Sequence, residues 1–377
     1  MNHYISERGD EDARFMAAAI ALARRGLGRC APNPAVGALI VRDGVIVARG
    51  WTQPGGRPHA ETQALAQLAA RGENDLAREA TLYVTLEPCS HHGVTPPCAQ
   101  AVIEAGLARV VAALRDPDPR VGGRGFAMLR AAGIEVREGV CQTAALRANL
   151  GHVLRVTRNR PMVTLKLAMT ADGFAGALEG PRLMITGEAA GRAVHMMRAM
   201  HDAILVGAGT MRADDPRLDV RLPGLEARTP LRVALDPRLT LPPSARLAQG
   251  GGPVLVIAGE DVDRARAARL QAQGVEVAFA PVGADGRVDP RDALALLAAR
   301  GVTRLFCEGG PTLARSLLAA GLVDEFILLE SPRPLGAPGL AALDPDQRAA
   351  LDDGAVYEKE AAALVGQDRL IRYLRIL

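Results

Sequence analysis

Aromatic residues are scarce in this chain: six Phe, four Tyr and one Trp amount to 3% of its 377 residues. Neither sign of charge predominates, because 42 acidic side chains nearly balance 45 basic ones and leave a net charge of +3. Proteins that bind polynucleotides or anionic membranes need base-stacking aromatics or a strong positive field. The composition therefore predicts no nucleic-acid partner and no membrane partner.

Long hydrophobic runs are absent as well, although 49% of the residues are hydrophobic. None approaches the ~18 apolar residues that a membrane-spanning helix needs, and the first 26 residues show no export-signal pattern. The five cysteines are odd in number and widely spaced, which does not indicate a disulfide framework. We expect a cytoplasmic protein whose cysteines bind metal or lie buried.

The length exceeds the ~150 residues of an ordinary domain, so two domains are expected. In the first half, helical patterns alternate with strand patterns and with one hairpin turn at Asp43-Gly44. The predicted helices are 10–25, 59–70, 98–105 and 126–132, and the predicted strands are 36–41, 45–48, 81–86, 109–114 and 134–137.

The second half alternates in the same way. Its predicted strands are 162–169, 203–206, 231–235, 254–258, 275–278, 303–307 and 325–330, and its predicted helices are 188–200, 262–272, 291–299 and 312–320. Such alternation is typical of α/β domains. Between Thr143 and Arg160 the pattern becomes helical and then basic, and it ends at Pro161. We predict domains over 1–148 and 161–377, joined by a connection over 149–160.

A candidate metal site lies in the first half, where His59-Ala60-Glu61 is followed by Cys89 and Cys98. One imidazole and two thiolates suit Zn²⁺, and three protein ligands leave the fourth position to a water whose pKa the metal lowers. Glu61 is the candidate proton shuttle, provided that it and His59 lie at the first turn of a helix. The pattern matches the zinc-deaminase signature H-x-E and P-C-x-x-C, except that the two cysteines are nine positions apart rather than three.

A closed, structural zinc site remains an alternative, because His91 or His92 could supply a fourth ligand. In that case the chain would be a non-enzymatic binding protein whose zinc ion stabilises the fold. Cys30, Cys141 and Cys307 lack partners at ligand spacing and are expected to be small buried hydrophobes.

The second half carries two glycine-rich turns. The first, Gly207 to Thr210, lacks the third glycine of the dinucleotide fingerprint, because Arg212 occupies that position. The second follows a strand with Gly309, Gly310 and then Pro311 at the first helical position, which is typical of a phosphate site at a helix N-terminus. Arg198 and Arg221 are candidate cations for a sugar phosphate.

Three segments of the first half closely resemble the deaminase half of bifunctional riboflavin-biosynthesis deaminase/reductases: PNPAVG at 32–37, PHAE at 58–61 and TLEPCSHHGVTPPC at 85–98. The resemblance implies an N-terminal cytidine-deaminase-like α/β/α domain with Zn²⁺ on His59, Cys89 and Cys98. It also implies that Glu61 is the catalytic proton donor and that the Asn33 loop holds part of a pyrimidine. The implied substrate is 2,5-diamino-6-ribosylamino-4(3H)-pyrimidinone 5′-phosphate, a small molecule, which is deaminated hydrolytically.

The resemblance continues through LKL at 165–167, DG at 172–173, GT at 209–210, DDP at 214–216 and EGGPTL at 308–313. It implies a C-terminal dihydrofolate-reductase-like α/β domain that uses NADPH to reduce the ribosyl group to a ribityl group. By position, the cofactor would be bound by Ala168, Thr210, Asp214, Gly310, Pro311, Thr312, Leu313, Ala314, Arg315 and Ser316. The substrate would be bound by Arg198, Leu218, Arg221 and Glu308.

Two positions depart from that family's pattern. Arg182 and Met184 stand ahead of Ile185-Thr186, where the family usually shows a serine and a tryptophan. Arg182 is therefore a candidate contact to the substrate phosphate, while Met184 removes an aromatic wall beside the nicotinamide. A deaminase with a catalytically degenerate reductase-like domain is the alternative hypothesis, a polynucleotide deaminase is disfavoured, and a homo-oligomer is left open.

Overall fold

The computed structural model describes residues 2–93, 96–179 and 183–377, and the chain divides into two compact units. The first unit runs over Met1–Asn159 and the second over Arg160–Leu377. Most of the segment predicted as a connection is helical, because the last helix of the first unit continues to Arg158. In the described part of the chain, no helix combines the length and the apolar character that a membrane crossing requires.

The first unit contains a five-stranded sheet in the order β2-β1-β3-β4-β5. Strand β1 is antiparallel to β2 and β3, whereas β3, β4 and β5 are parallel. The elements in chain order are α1 (Asn2–Ala23), β1 (Gly37–Arg42), β2 (Val45–Trp51), α2 (Ala60–Ala70), β3 (Thr81–Val84), α3 (Cys98–Glu104), β4 (Arg109–Ala112), α4 (Arg124–Ala131), β5 (Glu135–Arg137) and α5 (Gln142–Arg158).

Two strand glycines allow helices to pack directly on this sheet. A Cβ atom on Gly37 would lie 2.0 Å from the Ala19 carbonyl oxygen of α1, and one on Gly50 would lie 1.9 Å from the Ala60 carbonyl oxygen of α2. Gly50 pairs with Ala38, the neighbour of Gly37, so the two glycines face opposite sides of the sheet. Helices α1 and α2 therefore cover opposite faces, and the first turn of α2 is held against the sheet.

The second unit contains a nine-stranded sheet in the order β11-β10-β9-β8-β12-β6-β13-β16-β15, and a separate pair, β7 and β14. Its strands are β6 (Met162–Met169), β7 (Phe174–Ala177), β8 (Ala203–Gly207), β9 (Leu231–Leu235), β10 (Val254–Gly259), β11 (Glu276–Ala280), β12 (Arg304–Cys307), β13 (Glu325–Glu330), β14 (Gly339–Ala341), β15 (Tyr357–Val365) and β16 (Asp368–Arg375). Its helices are α6 (Glu188–Ala199), α7 (Ala208–Asp214), α8 (Arg264–Gln271), α9 (Pro290–Ala299), α10 (Pro311–Ala319) and α11 (Pro345–Asp352).

The central strands of this sheet are buried on both faces. Along β8, Ala203 and Leu205 belong to one buried cluster, while Ile204 and Val206 belong to another. The strands from β11 to β13 are parallel, and β16 and β15 extend the sheet as an antiparallel hairpin. Because helices connect parallel strands, both faces are covered and the carboxyl ends of the strands share one edge.

Both units are α/β, as the sequence predicts, and every predicted helix and strand has a counterpart. The predicted hairpin turn is also present, since Asp43 and Gly44 have positive φ angles of 51° and 73°. The elements that the sequence does not predict are α7, α11, β7, β14 and the terminal hairpin β15–β16.

Candidate active sites

His59 and Glu61 lie at the start of α2, beside the edge of the first sheet. His59 is the residue preceding the helix, with extended backbone (φ −68°, ψ 162°), and Glu61 lies in the first turn. The side chain of Glu61 is buried, at 4% exposure. This change of backbone conformation at Ala60 allows residues two apart to approach one site, which a continuous helix would not permit.

The two cysteines approach His59 from the loop after β3 and from the start of α3. His59 Nδ1 lies 3.7 Å from Cys89 Sγ and 3.3 Å from Cys98 Sγ. Among the residues described, these three form the group able to hold a metal ion, with all ligand atoms within 4.8 Å of one another. Tetrahedral zinc at ordinary bond lengths separates such donors by about 3.6 Å, so the donor set fits zinc.

Hydrogen bonds and burial shift the acid–base behaviour of the cluster. Hydrogen bonding from Cys98, through its thiol and its amide, lowers the pKa of the Cys89 thiol to about 4, while the contact with Cys89 raises the pKa of the Cys98 thiol. Burial raises the pKa of Glu61 to about 7. A thiolate is thus already favoured at one ligand position, as metal binding requires.

The other candidates of the first unit lie around this cluster. Asn33 Nδ2 donates to the Gly56 carbonyl oxygen at 2.8 Å, which ties the Asn33 loop to the segment leading into His59. His91 and His92 are exposed and do not belong to the metal-binding group found among the described residues. The geometry therefore does not provide the fourth histidine ligand that a closed zinc site would need.

The candidate site of the second unit lies at the carboxyl ends of three neighbouring parallel strands, β8, β12 and β6. Ala168 is at the end of β6, Thr210 follows β8, and Gly310 follows β12. Thr210 Oγ1 accepts a hydrogen bond from Gly310 N at 3.1 Å. Ligands of open α/β sheets bind at this edge, so the structure gathers these three cofactor candidates where a cofactor would be expected.

Helix α10 begins at this edge, with Gly310 before it and Pro311 at its first position. Thr312 is exposed near the helix start, and Asp214 closes α7 nearby in the chain after β8. The other cofactor candidates on the helix have these contacts: Ala314 is buried in the core, Arg315 pairs with Asp344 at 3.5 Å, and the Ser316 hydroxyl donates to the Thr312 carbonyl oxygen at 3.2 Å. Leu313 is partly buried and packs against the core and Gly309.

Two substrate candidates, Arg198 and Glu308, form an ion pair with each other. Arg198 Nε and Nη2 lie 2.5 and 2.9 Å from the two carboxylate oxygens, and Arg198 Nη1 donates to the Asp219 carbonyl oxygen at 2.8 Å. Burial raises the pKa of Glu308, but the charge of Arg198 outweighs it and holds the pKa below its ordinary value. The pair therefore remains ionised although it is buried.

The segment after α7 carries the remaining substrate candidates. Leu218 is buried, with a positive φ of 57°, and Arg221 is exposed. Arg221 N donates to His195 Nδ1 at 3.1 Å, and its guanidinium contacts the Asp219 carboxylate. Arg182 lies outside the described residues, and Met184 is exposed.

The sequence analysis did not predict a role for two residues near the candidate sites, Glu87 and His195. Glu87 accepts hydrogen bonds from four backbone amides, and the sequence signal for it is a carboxylate two residues before Cys89, directly after the predicted strand 81–86. His195 supports the backbone of Arg221, and no sequence pattern marks that contact.

Known proteins match both units. The zinc-binding region of cytidine and deoxycytidylate deaminases matches residues 10–114, and the RibD C-terminal domain matches residues 161–355. The riboflavin biosynthesis protein RibD of Aquifex aeolicus is 37% identical over 97% of this chain and 98% of its own, and that of Escherichia coli is 39% identical over 88% and 91%.

Solved structures of similar proteins match nearly the whole chain. Acinetobacter baumannii RibD has a TM-score of 0.84 at 33% identity, and a Thermotoga maritima diaminohydroxyphosphoribosylaminopyrimidine deaminase/5-amino-6-(5-phosphoribosylamino)uracil reductase has 0.83 at 34%. Each comparison covers 98% of this chain and 100% of the other. Because both domains match in one chain, a degenerate second domain is not favoured. The chain belongs to the RibD family, and it is a bifunctional deaminase and reductase of riboflavin biosynthesis.

Proposed function

We propose that the first unit binds zinc through His59 Nδ1 and the thiolates of Cys89 and Cys98, and that Glu61 is its catalytic acid and base. The convergence of these three ligand atoms beside a buried carboxyl group carries the proposal. Zinc, when bound, would lower the pKa of a coordinated water and so supply a nucleophile at neutral pH. The substrate is 2,5-diamino-6-ribosylamino-4(3H)-pyrimidinone 5′-phosphate, and water replaces one ring amino group, which leaves as ammonia.

Glu61 performs the proton transfers in this proposal. Its carboxylate takes a proton from the attacking water and delivers it to the leaving amino nitrogen, so that 5-amino-6-(5-phosphoribosylamino)uracil and ammonia are formed. A carboxyl group within hydrogen-bonding reach of Cys98 and two residues from His59 stands next to the reacting atoms. The Asn33 loop, held to Gly56, forms part of the wall around the pyrimidine.

In the second unit, we propose that NADPH binds across the ends of β6, β8 and β12. NADPH, when bound, supplies the hydride that reduces the opened ribosyl group at C1′ to the ribityl product. Thr210 and Gly310 join two of the strand ends, Ala168 flanks them, and the start of α10 offers backbone amides and a helix dipole to a phosphate. The proposed NADPH site also includes the remaining cofactor candidates, which are Asp214, Pro311, Thr312, Leu313, Ala314, Arg315 and Ser316.

The ion pair between Arg198 and Glu308 refines the proposed substrate contacts. The Arg198 guanidinium donates hydrogen bonds to Glu308 and to the Asp219 carbonyl oxygen. Its proposed role is therefore to orient the segment that carries Leu218 and Arg221, not to bind the substrate phosphate directly. Arg221 is exposed on that segment and, with Arg182, is the cation proposed for the sugar phosphate. Leu218 shapes the same segment through its left-handed backbone.

No disulfide bond joins any of the five cysteines, all of which lie among the described residues, and this is consistent with the reducing cytoplasm as the proposed compartment. A small-molecule substrate is the proposed partner, with neither nucleic acid nor membrane required, and self-association is compatible with it.

The proposal is tested by following the diaminopyrimidinone ribosyl phosphate by mass spectrometry with the zinc-loaded protein, with and without NADPH. We expect the deaminated species without NADPH and the reduced species with it. Glu61→Gln should retain zinc and fail to deaminate, yet should still reduce the deaminated species when that is supplied. Unchanged substrate with the wild-type protein would refute the first half, and accumulation of the deaminated species despite NADPH would refute the second.

A further inference from the structure

The Glu87 carboxylate is the meeting point of two segments beside the zinc site. Glu87 lies three residues after the end of β3 and two residues before Cys89, and it is 5% exposed. Oε2 accepts from the backbone N–H groups of Asp116 (3.1 Å) and Gly123 (2.8 Å), and Oε1 accepts from those of Gly125 (2.8 Å) and Phe126 (3.2 Å). Both oxygens are therefore satisfied by donors from the 116–126 stretch. Three of the four donors lie at the start of α4, where the helix dipole favours a negative charge.

The backbone around Cys89 is held from the other side by α3. Ala99 N donates to the Cys89 carbonyl oxygen at 3.1 Å, and Cys98 N donates to Cys89 Sγ at 3.3 Å. Pro88 packs against Gly125 so closely that a Cβ atom there would lie 2.0 Å from the Pro88 carbonyl oxygen. The ligand segment 87–89 is thus clamped between α3 and the first turn of α4.

We propose that Glu87 is a positioning residue of the deaminase site: it binds no metal, but it fixes the segment that carries Cys89 to the 116–126 stretch. This inference rests on the proposed role of Cys89 as a zinc ligand. Both oxygens and the negative charge are needed, because a glutamine would turn an NH₂ group toward two amide donors that then lack an acceptor. Cys89 would lose its fixed direction toward His59 and Cys98.

The test compares Glu87→Gln and Glu87→Asp with the wild-type full chain. Glu104→Gln is the matched control, because Glu104 closes α3, the helix that begins with Cys98, and its exposed carboxylate accepts a hydrogen bond from the Gln100 side chain at 2.9 Å. Three quantities are measured on each preparation: the rate of zinc release to an excess of a chromogenic chelator, kcat and KM for deamination, and the reductase rate with deaminated substrate.

We expect Glu87→Gln to release zinc about 10- to 100-fold faster and to lower the deaminase kcat by a similar factor, with the reductase rate unchanged. Glu87→Asp keeps the charge but is one methylene shorter, so it should fall between Glu87→Gln and wild type; it also decides the question if Glu87→Gln is insoluble. Glu104→Gln should behave as wild type.

Wild-type rates of zinc release and deamination in Glu87→Gln would overturn the inference alone. A parallel loss of both activities with unchanged zinc release would also overturn it, because that pattern reports general loss of folded protein. A wild-type chain that holds no zinc would instead overturn the proposed function, and this inference with it.

Discussion

Thr210 and Gly310 meet across the ends of two adjacent parallel strands, where Thr210 Oγ1 accepts the Gly310 N–H at 3.1 Å. The contact joins the start of α7, which directly follows β8, to the loop between β12 and α10. These are two of the segments proposed to hold the cofactor, so the hydrogen bond holds the two segments together at the proposed NADPH site.

Replacing Thr210 by valine keeps the side-chain shape and removes the acceptor. We expect the KM for NADPH to rise about fivefold or more, because a partly buried N–H that loses its acceptor costs about 1–3 kcal/mol. Steady-state NADPH oxidation with deaminated substrate measures this, and Thr210→Ser should restore the wild-type value. Equal NADPH affinity in the valine variant would show that the contact does not shape the cofactor site.

Breaking the buried pair of Arg198 and Glu308 should destabilise the second unit. Both side chains are 11% exposed, so Arg198→Met would leave a buried carboxylate without its partner and lower the free energy of unfolding by about 3–5 kcal/mol. Arg192→Met is the control on the same helix, because Arg192 and Glu188 form an exposed pair whose loss should cost less than about 1 kcal/mol. Denaturant unfolding compares them, and an equal effect of the two substitutions would contradict the prediction.

Asp12 should make the first unit sensitive to acid. It is 2% exposed and accepts from both Arg109 terminal nitrogens at 2.8 Å and from the Tyr83 hydroxyl at 2.8 Å. Burial raises the pKa of Asp12, but the hydrogen bonds from Arg109 and Tyr83 outweigh it and hold the pKa below its ordinary 3.8. The folded state therefore favours the ionised form, and the resulting stability is present above about pH 4 and is lost as the pH falls through the folded-state pKa.

The measurement is the free energy of unfolding of wild type and Asp12→Asn at pH 7 and pH 3. Arg137 also donates a hydrogen bond to the Asp12 carboxylate. We expect the variant to be less stable by about 3–5 kcal/mol at pH 7, because Arg109 and Arg137 lose a buried anionic partner, and we expect this difference in stability to narrow at pH 3. Asp43→Asn, whose side chain is 93% exposed, should change little at either pH. A difference in unfolding free energy between wild type and Asp12→Asn that is the same at pH 7 and pH 3 would contradict the prediction that folding favours ionised Asp12.

Gly50→Ala should displace the start of α2 and so disturb the proposed deaminase site. The new Cβ atom would lie 1.9 Å from the Ala60 carbonyl oxygen, so the first turn of α2, with His59 and Glu61, must move. We expect deamination to fall at least tenfold while the reductase rate stays unchanged. Gly191→Ala, a helical site with nothing within 4 Å, should be neutral or stabilising by up to about 1 kcal/mol. A wild-type deaminase rate in Gly50→Ala would refute the close-packing argument.

Much of the fold could be predicted because its strands and helices carry strong local patterns. Strands such as β8 and β10 are continuous apolar runs between turn residues, as parallel buried strands require. The terminal hairpin could not be predicted in this way. Side chains along β15 are almost all exposed, and its Glu and Ala residues favour helix, so only pairing with β16 makes it a strand.

The sequence by itself determined the chemistry of the proposed deaminase site, because His59, Glu61, Cys89 and Cys98 occur at spacings and in residue types that specify soft-ligand metal binding and proton transfer. It also determined two α/β halves. Only the tertiary structure decided which partners the buried charges have: Arg198 pairs with Glu308, and Glu87 accepts from four backbone amides that lie 29 to 39 residues further along the chain. The physical reason is that burial makes an unpaired charge costly, and partners for buried charges are chosen by the packing of distant segments, which no local pattern records.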